Sequence, residues 1–294
     1  MKFSVSFAMA HPDELAPLAR AADELGYNAV VLPDSIFWSD ECSTRYPYTP
    51  DGQRMWTAET PWVDPLLGVA SMAAVTERVR FYTSVIKLPV RDPVLFARQL
   101  NSVAHLSQGR FGLGIGLGWL PEEFTWCGAD WATRAPRFEE MITISRKLLT
   151  GEHVSHEGEH YRFGSICMSP PAPAMPIYLG GHAESALDRA ARIADGWSSA
   201  MLTGEGLVAI TRRLAELRAQ HGRADQPFEV QGVVVDIYKP DGFAGLYEQG
   251  VTDIITMPWT MYGYGYADAP LEKKLEAMQR FADRVIRPTQ ALVG

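Results

Sequence analysis

The chain has 294 residues, of which 47% are hydrophobic, and its formal net charge is −8. This length is enough for one large domain or two small ones, and the apolar fraction is ordinary for a globular protein. The acidic balance gives no electrostatic support for a nucleic-acid partner, and no apolar run is long enough to span a bilayer, so we expect neither a nucleic-acid nor a membrane partner.

Cysteine usage and the N-terminal residues indicate the compartment. The chain has three cysteines, Cys42, Cys127 and Cys167, which are odd in number and show no CxxC spacing. This predicts neither a metal site nor a disulfide framework, and it favours a reducing cytoplasm. The N-terminal residues lack the long apolar region and cleavage site of a signal peptide, so we interpret residues 3–8 as a first strand.

A recurring unit organises the chain: a helical pattern, a glycine, an apolar strand and then polar residues. In its first instance a helix over residues 14–25 precedes Gly26, and an apolar strand then ends before Asp34. The strand candidates along the chain are residues 3–8, 29–32, 79–83, 112–118, 177–179, 197–199, 228–234 and 253–257. Strands separated in this way by helical patterns predict a single closed (β/α)₈ barrel domain over residues 1–294, with a doubly wound open sheet as the alternative.

Glycine alternates with branched apolar residues over 112–118, which is the periodicity of a strand. Glycine inside a strand is costly, and it often marks a place where another group approaches the backbone. The glycine face therefore either leaves room for a flat ring or permits tight packing around a barrel axis. The GxGxxG fingerprint of dinucleotide-binding folds fails here, because no register supplies its third glycine.

Three connections are too long to be minimal loops. Residues 151–176 contain a predicted hairpin around Glu157, whereas residues 35–61 and 258–270 follow strands and are rich in aromatic side chains. A barrel would place the latter two on its C-terminal face, where active sites of barrel enzymes lie. We expect a substrate pocket there, with the alternative that the aromatics pack the loops together or form a dimer contact. The candidate pocket residues are Trp38, Tyr48, Trp119 and Trp259.

Several motifs together resemble the bacterial luciferase-like flavin and deazaflavin oxidoreductases. The likeness covers about residues 1–290 and is greatest to the branch that uses the 5-deazaflavin coenzyme F420. It is carried by TSVIKLPVRDP at 83–93, LSQGR at 106–110, the glycine strand with WLPEEF at 119–124, IYLGG at 177–181 and DGW at 195–197. The resemblance implies a (β/α)₈ barrel, a homodimer, and coenzyme F420 as cofactor, with FMN as the alternative.

The resemblance also implies where the cofactor lies. The family has a non-prolyl cis peptide at a bulge ending the third strand, which maps here to Ser84 and Val85. Thr83, Ser84 and Val85 would then pack behind the cofactor ring, and Gly116 and Gly118 would contact the ring or its ribityl chain. The turn Gly180–Gly181–His182–Ala183 opens a helix, and it would hold the cofactor phosphate or be an ordinary strand-to-helix turn.

Two residues are candidates for a catalytic role. Asp34 ends the second strand, where it would contact the cofactor or cap the next element, and His11 follows the first strand as a substrate or proton contact. Glu122 and Glu123 have either a direct role in the site or are helix N-terminal charges. Lys87 and Arg91 would contact an acidic cofactor tail or form surface pairs. In the sugar-phosphate dehydrogenase branch of the family, a glutamate directly follows the last glycine of this strand. Trp119 occupies that position here, which argues against the proton-relay chemistry of that branch.

The expected activity is hydride transfer between the C5 position of F420 and a partly apolar small-molecule substrate. The alternatives are an FMN-dependent monooxygenase that uses oxygen, and a barrel that binds the deazaflavin without turnover.

Overall fold

Parallel strands close into a barrel in the structure, a computed structural model that describes residues 1–294. The strands are β1 Lys2–Ser6, β2 Ala29–Leu32, β3 Arg80–Thr83, β4 Ile86–Lys87, β5 Phe111–Gly116, β6 Val154–Glu157, β7 Arg162–Ile166, β8 Ile177–Gly180, β9 Gly196–Leu202, β10 Glu229–Val234 and β11 Asp253–Thr256. Eight of them, β1, β2, β3, β5, β8, β9, β10 and β11, form the barrel wall, which closes where β11 pairs with β1. The predicted (β/α)₈ barrel is therefore confirmed, and closure excludes the open sheet.

Helices separate the strands along the chain. They are α1 Leu15–Leu25, α2 Pro65–Ala73, α3 Pro93–Leu106, α4 Pro121–Trp126, α5 Arg134–Leu148, α6 Glu184–Ile193, α7 Gly204–Gln220, α8 Pro240–Glu248, α9 Pro258–Met261, α10 Leu271–Phe281 and α11 Arg287–Val293. Helices α2 and α3 begin in the same way: Asp64 and Asp92 accept hydrogen bonds from first-turn amides, and proline occupies the first helical position. No helix is both long and apolar enough to cross a bilayer.

Aromatic packing joins the two ends of the chain. Phe3 in β1 lies edge-on to Phe243 of α8 and to Phe281 of α10, with ring centroids 5.4 and 5.8 Å away. The buried Lys274 of α10 contacts Glu14 at 2.6 Å, just before α1. These contacts hold the last helical layer against the first strand, so that the barrel is closed by side chains as well as by the sheet.

The glycine face of β5 is filled by neighbouring groups of the protein itself. A Cβ atom at Gly112 would lie 2.8 Å from the Tyr178 ring, and one at Gly114 would overlap the Thr83 carbonyl oxygen. A Cβ at Gly116 would lie 2.7 Å from Val85 Cγ2. The tight-packing interpretation is therefore the right one along this face, and the hypothesis that bare backbone leaves room for a ring is corrected.

Two extra features interrupt the regular barrel. The third strand breaks at a cis peptide between Ser84 and Val85, as the resemblance implied, and resumes as β4, which pairs with β5. Strands β6 and β7 form an antiparallel hairpin between α5 and β8, which confirms the hairpin predicted around Glu157.

Candidate active site

A cavity of about 890 Å³ opens at the C-terminal ends of the barrel strands. Every strand of the barrel wall, or the loop that follows it, supplies lining residues, including Met9, Asp34, Val85, Gly118, His182, Met201, Val233 and Met257. The volume lies in the range of sites for cofactors and drug-sized molecules. The position is also that of active sites in barrel enzymes.

The floor of this cavity is built around the Val85 side chain. A Cβ at Gly180 would lie 2.9 Å from Val85 Cγ1, and Gly116 meets the other methyl group as described above. Glycine is therefore needed at both positions because Val85 occupies the space between β5 and β8. The neighbouring Ser84 hydroxyl lies 3.0 Å from the Ser198 hydroxyl of β9. Together these groups form a small, raised surface that faces the cavity.

The N-terminus of α6 forms another part of the lining. Ala183 is the N-cap residue, with φ −65° and ψ 146°, and no side chain caps the first turn of the helix. Gly181 has a φ of +113°, a conformation that favours glycine. First-turn amides without a side-chain acceptor, at the positive end of a helix dipole, provide donors for an anion.

His182 is neutral in this turn. Its Nε2 accepts a hydrogen bond from the Ala200 amide at 3.2 Å, so its proton is on Nδ1. Burial lowers the pKa of the imidazole. The ring packs between Tyr48 and Trp197, with centroids 5.3 and 5.7 Å away. His182 therefore adds no positive charge to the cavity.

Asp34 lines the cavity, but its carboxylate is fully engaged. Both oxygens accept from Arg91 at 2.9 Å, and Oδ2 also accepts from the Lys87 amide at 2.9 Å. Burial acts to raise the pKa of Asp34, but the charges of Arg91 and Lys87 outweigh it and keep the pKa below the usual value. This geometry anchors the end of β2 to β4 and leaves no oxygen free for proton transfer.

A second buried ion pair joins Lys87 to Glu123. The Lys87 ammonium contacts Glu123 Oε1, and the two side chains are 7% and 2% exposed. The same oxygen accepts from the Ile36 amide at 3.3 Å, so Glu123 links α4 to the loop after β2. Sequence reasoning treated Glu123 as a helix-end charge and Lys87 as a surface or tail contact. Glu123 does lie in the first turn of α4, as predicted, whereas Lys87 is buried against it and is not a surface contact.

Four aromatic side chains that line the cavity form what we call the aromatic wall: Tyr46, Tyr48, Trp56 and Trp119. The ring of Tyr46 lies edge-on to the other three, with centroids 5.5, 5.1 and 5.2 Å away. Tyr48 and Trp119 were predicted from the sequence. Tyr46 and Trp56 were missed, although both lie in the long connection after β2.

The structure brings most of the predicted site residues to this one cavity. They are Asp34, Tyr48, Ser84, Val85, Gly116, Gly118, Trp119, Gly180, Gly181, His182 and Ala183.

Four predicted site residues lie elsewhere, each for a physical reason. Thr83 is fully buried and bonds both the amide and the carbonyl of Gly114. His11 is exposed and caps the turn before α1. Trp38 donates to Asp40, and Trp259 is fully buried. None of the four lines the cavity, and burial of Thr83 next to Ser84 is compatible with its predicted place behind the ring.

Comparison with known proteins identifies a family and several relatives. Residues 3–235 match the family model described as luciferase-like monooxygenase. An uncharacterized protein of Mycobacterium tuberculosis is 39% identical over 290 residues, covering 97% of this chain and 99% of that protein. An F420-dependent glucose-6-phosphate dehydrogenase of Nakamurella multipartita is 35% identical over 191 residues, covering 63% of this chain and 51% of that protein. The crystal structure of monooxygenase RslO1 from Streptomyces bottropensis is similar with a TM-score of 0.73 and 21% identity, covering 98% of this chain and 99% of that one.

Proposed function

Because the chain belongs to the luciferase-like monooxygenase family, we propose that it is an oxidoreductase that uses coenzyme F420 to transfer hydride to or from a small molecule. The observation that carries the proposal is the cavity itself, which joins an uncapped helix N-terminus to a raised floor at Val85. The relative named as F420-dependent supports the deazaflavin over FMN.

The residues present fit a phosphate-bearing tricyclic cofactor. The amides of Glu184 and Ser185 in the first turn of α6 would hold the phosphate, since the side chain of Ala183 offers them no competing acceptor. The surface formed by Ser84 and Val85 would support one face of the ring, and the backbone at Gly118 would border it. The aromatic wall would then shield the other face from water, with the substrate between the wall and the ring.

In this arrangement the protein supplies binding, orientation and a dry site. A bound deazaflavin supplies a carbon, C5, that accepts or releases hydride. Val85 would support the ring from below, and the aromatic wall would orient a substrate against the opposite face. The ion pairs of Asp34 and Glu123 hold the surrounding loops in place.

Two other functions have specific support. An FMN-dependent monooxygenase is favoured by the likeness to RslO1, which is named as a monooxygenase. Binding of a deazaflavin without turnover is favoured by the engaged state of the lining carboxylates, because Asp34 and Glu123 both pair with cations.

Cofactor titration separates these three functions. Absorbance and fluorescence of the purified protein are recorded while F420 or FMN is added, and oxygen uptake is followed with the reduced forms. We expect saturable binding of F420, weaker binding of FMN and no oxygen uptake. Tight FMN binding with oxygen uptake would establish the monooxygenase. Isotope exchange at C5 of bound F420 with a substrate panel separates an enzyme from a carrier.

We also propose that the protein is a cytoplasmic homodimer. Leu67 on α2 and Leu95 on α3 are 70% and 68% exposed, and such side chains are typical of a protein interface when they are neighbours. Helices α2 and α3 pack against each other, so the two leucines lie on neighbouring helices. Light scattering during size-exclusion chromatography tests the dimer, and Leu67→Asp with Leu95→Asp should shift it to monomer.

A further inference from the structure

We propose that Arg54 determines substrate specificity by binding the carboxylate of a planar ring compound whose ring packs on the aromatic wall. This rests on the proposed function only in placing the substrate beside the cofactor. Three features of the guanidinium carry it: no carboxylate is in contact with it, a tryptophan ring holds it in place, and it lies at the end of the wall away from α6.

Arg54 is the cation of the cavity lining that has no carboxylate in contact. The lining has four charged residues: Asp34, Arg54, Lys87 and Glu123. Lys87 and Glu123 pair with each other, and Asp34 is held by Arg91. The Arg54 guanidinium donates within the chain only to the Ser39 carbonyl, at 2.9 Å. A guanidinium has several N–H donors in a fixed fork, so most of those of Arg54 are left for a ligand.

Trp38 holds the guanidinium in place. The central carbon of the Arg54 guanidinium lies 3.3 Å from the centre of the Trp38 ring, and the indole itself donates to Asp40 at 2.8 Å. One face of the guanidinium is thus covered, whereas its N–H groups lie along its edges, where they match the two oxygens of a carboxylate. A side chain already held in this way loses less conformational entropy when a ligand binds. Trp38 therefore acts from outside the cavity, as a positioning residue for Arg54.

The aromatic wall runs from α6 towards α4. Tyr48 is the end beside α6, because its ring centroid lies 5.3 Å from that of His182. Tyr46 lies between Tyr48 and the pair formed by Trp56 and Trp119, whose ring centroids are 6.5 Å apart. Trp119 in turn lies just before the start of α4. A ring packed on the wall can therefore have one edge towards the cofactor phosphate and the other towards α4.

Arg54 lies at the α4 end of the wall. It precedes Trp56 closely in the same loop. Burial acts to raise the pKa of Glu122 in α4, but hydrogen bonds from Ser43 and the positive charge of Arg54 keep that pKa below its usual value, which places the guanidinium near this helix. The cofactor phosphate, and the acidic tail attached to it, would belong to the α6 end. The cation at the other end is therefore left for the substrate.

The surroundings of Arg54 indicate the chemical class of the ligand. A single carboxylate would neutralise the charge of Arg54 and leave no excess negative charge beside Glu122. The edge-to-face rings of the aromatic wall favour a flat apolar partner. The lining therefore fits a flat ring that carries one carboxylate.

A matched pair of ligands tests the proposal: 2-naphthoate, which has a carboxylate, and 2-naphthamide, which has the same rings and no charge. Binding of each is measured by calorimetry on the protein saturated with oxidised F420 and without a reductant. We expect the carboxylate to bind at least about tenfold more tightly than the amide, because it gains charge-assisted hydrogen bonds. Equal or weaker binding of the carboxylate would overturn the proposal.

Variants of Arg54 link this preference to its guanidinium. Arg54→Met should weaken binding of 2-naphthoate at least about tenfold and leave that of 2-naphthamide unchanged. Arg54→Lys keeps the charge without the paired donors, so its affinity for the carboxylate should lie between the two. Arg20→Met, at an exposed position of α1, is the matched control and should bind both ligands as the parent protein does. An equal loss for both ligands in Arg54→Met would mean that Arg54 only supports the loop, which contradicts the proposal.

The contribution of the wall is tested separately. Trp119→Ala removes a ring that both ligands would contact, so both should bind at least about tenfold more weakly. Tyr247→Ala removes an exposed ring of α8 outside the cavity and should change neither affinity. If Trp119→Ala binds both ligands as well as the parent protein does, the wall is not the substrate site and the proposal fails.

The cofactor itself separates this inference from the proposed function. Arg54→Met should bind F420 as tightly as the parent protein does. If it binds F420 more weakly and the parent shows no preference for the carboxylate, Arg54 holds the acidic tail of the cofactor and only this inference fails. The two ligands are also measured on the protein without cofactor. If F420 does not bind while the preference that depends on Arg54 persists, the proposed function is wrong and the carboxylate site stands.

Discussion

The two terminal nitrogens of Arg91 donate to different oxygens of Asp34, each over 2.9 Å. This planar, two-bond contact lies beside the cavity, with the carboxylate 3% exposed. It joins the end of β2 to the residues that follow β4, which are 57 positions apart in the chain. The pair therefore fixes the two strand ends that flank the Ser84–Val85 break.

Removal of one partner should be costly. We expect Arg91→Ala to lower the free energy of unfolding by about 3–5 kcal/mol, because it leaves a buried carboxylate without its counter-charge. Urea denaturation followed by far-UV circular dichroism measures the change. The control Arg20→Ala, at an exposed position of α1, should stay within about 0.5 kcal/mol of the parent protein. A loss no larger than that of the control would show that Asp34 does not depend on Arg91.

The floor of the cavity can be tested with a double mutant. Gly116→Ala would place a methyl group 2.7 Å from Val85 Cγ2, so we expect Val85 to shift and cofactor affinity to fall about tenfold. The combination of Gly116→Ala with Val85→Ala removes the collision and should restore most of the affinity. Gly164→Ala, where nothing lies within 4 Å, is the control for a glycine-to-alanine change in a strand. If the double mutant does not regain cofactor affinity, Val85 is not part of the cofactor site.

A substitution at the N-terminus of α6 should change the stability of the protein and its affinity for the cofactor in opposite directions. Ala183→Asp should raise the free energy of unfolding by about 0.5–2 kcal/mol, because the backbone already has the geometry of an N-cap. The same carboxylate would occupy the first-turn amides and repel a phosphate, so affinity for the cofactor should fall. Ala183→Ser supplies a cap without the charge and should weaken binding less. An Ala183→Asp protein that binds cofactor normally would place the phosphate elsewhere.

A carboxyl group at the N-terminal end of the barrel strands should change the free energy of unfolding as it titrates. Asp253 is fully buried and accepts from Ser4 at 2.7 Å, Asn28 at 3.0 Å and Tyr82 at 3.2 Å. Burial raises the pKa of Asp253 to about 6, and the nearby Glu229 carboxylate also raises it. Because the folded state holds this proton more tightly than the unfolded state, stability falls as pH rises from about 4 to about 6.

We therefore expect Asp253→Asn to remove that part of the pH dependence. Relative to the variant, the parent protein should lose about 3 kcal/mol of stability between pH 4 and pH 6, from a shift of roughly two pKa units. Denaturant unfolding of both proteins at intervals across this range measures the difference. Asp225→Asn, at an exposed position, controls for the change in net charge. Parallel curves for parent and Asp253→Asn would mean that the carboxyl group titrates normally.

The barrel could be predicted because its signals are local. Strand β2 has the predicted bounds, since Gly26 ends α1 and Pro33 follows the apolar run directly. The roles of side chains depend on partners that are distant in the sequence, such as Glu123 for Lys87, and no local pattern identifies such a pair. The sequence of β5 is the same whether a cofactor or Val85 packs on its glycine face, so only the three-dimensional structure distinguishes the two arrangements.

The sequence also does not predict which aromatic side chains of the loops line the cavity. Nothing in the sequence distinguishes Trp38, which lies outside the cavity, from Trp56, which lines it. Both are in a long connection without periodicity, where backbone turns decide the direction of each ring.

Closure of the barrel between β1 and β11 has a consequence for biosynthesis. Lys2 and Asp253 are neighbours in the sheet, and the cavity includes residues next to both strands. A nascent chain on the ribosome cannot assemble the complete cavity, the proposed cofactor site, until its eighth barrel strand has emerged. Cofactor supplied during translation would therefore stabilise only finished molecules, and it would not protect truncated products from proteolysis.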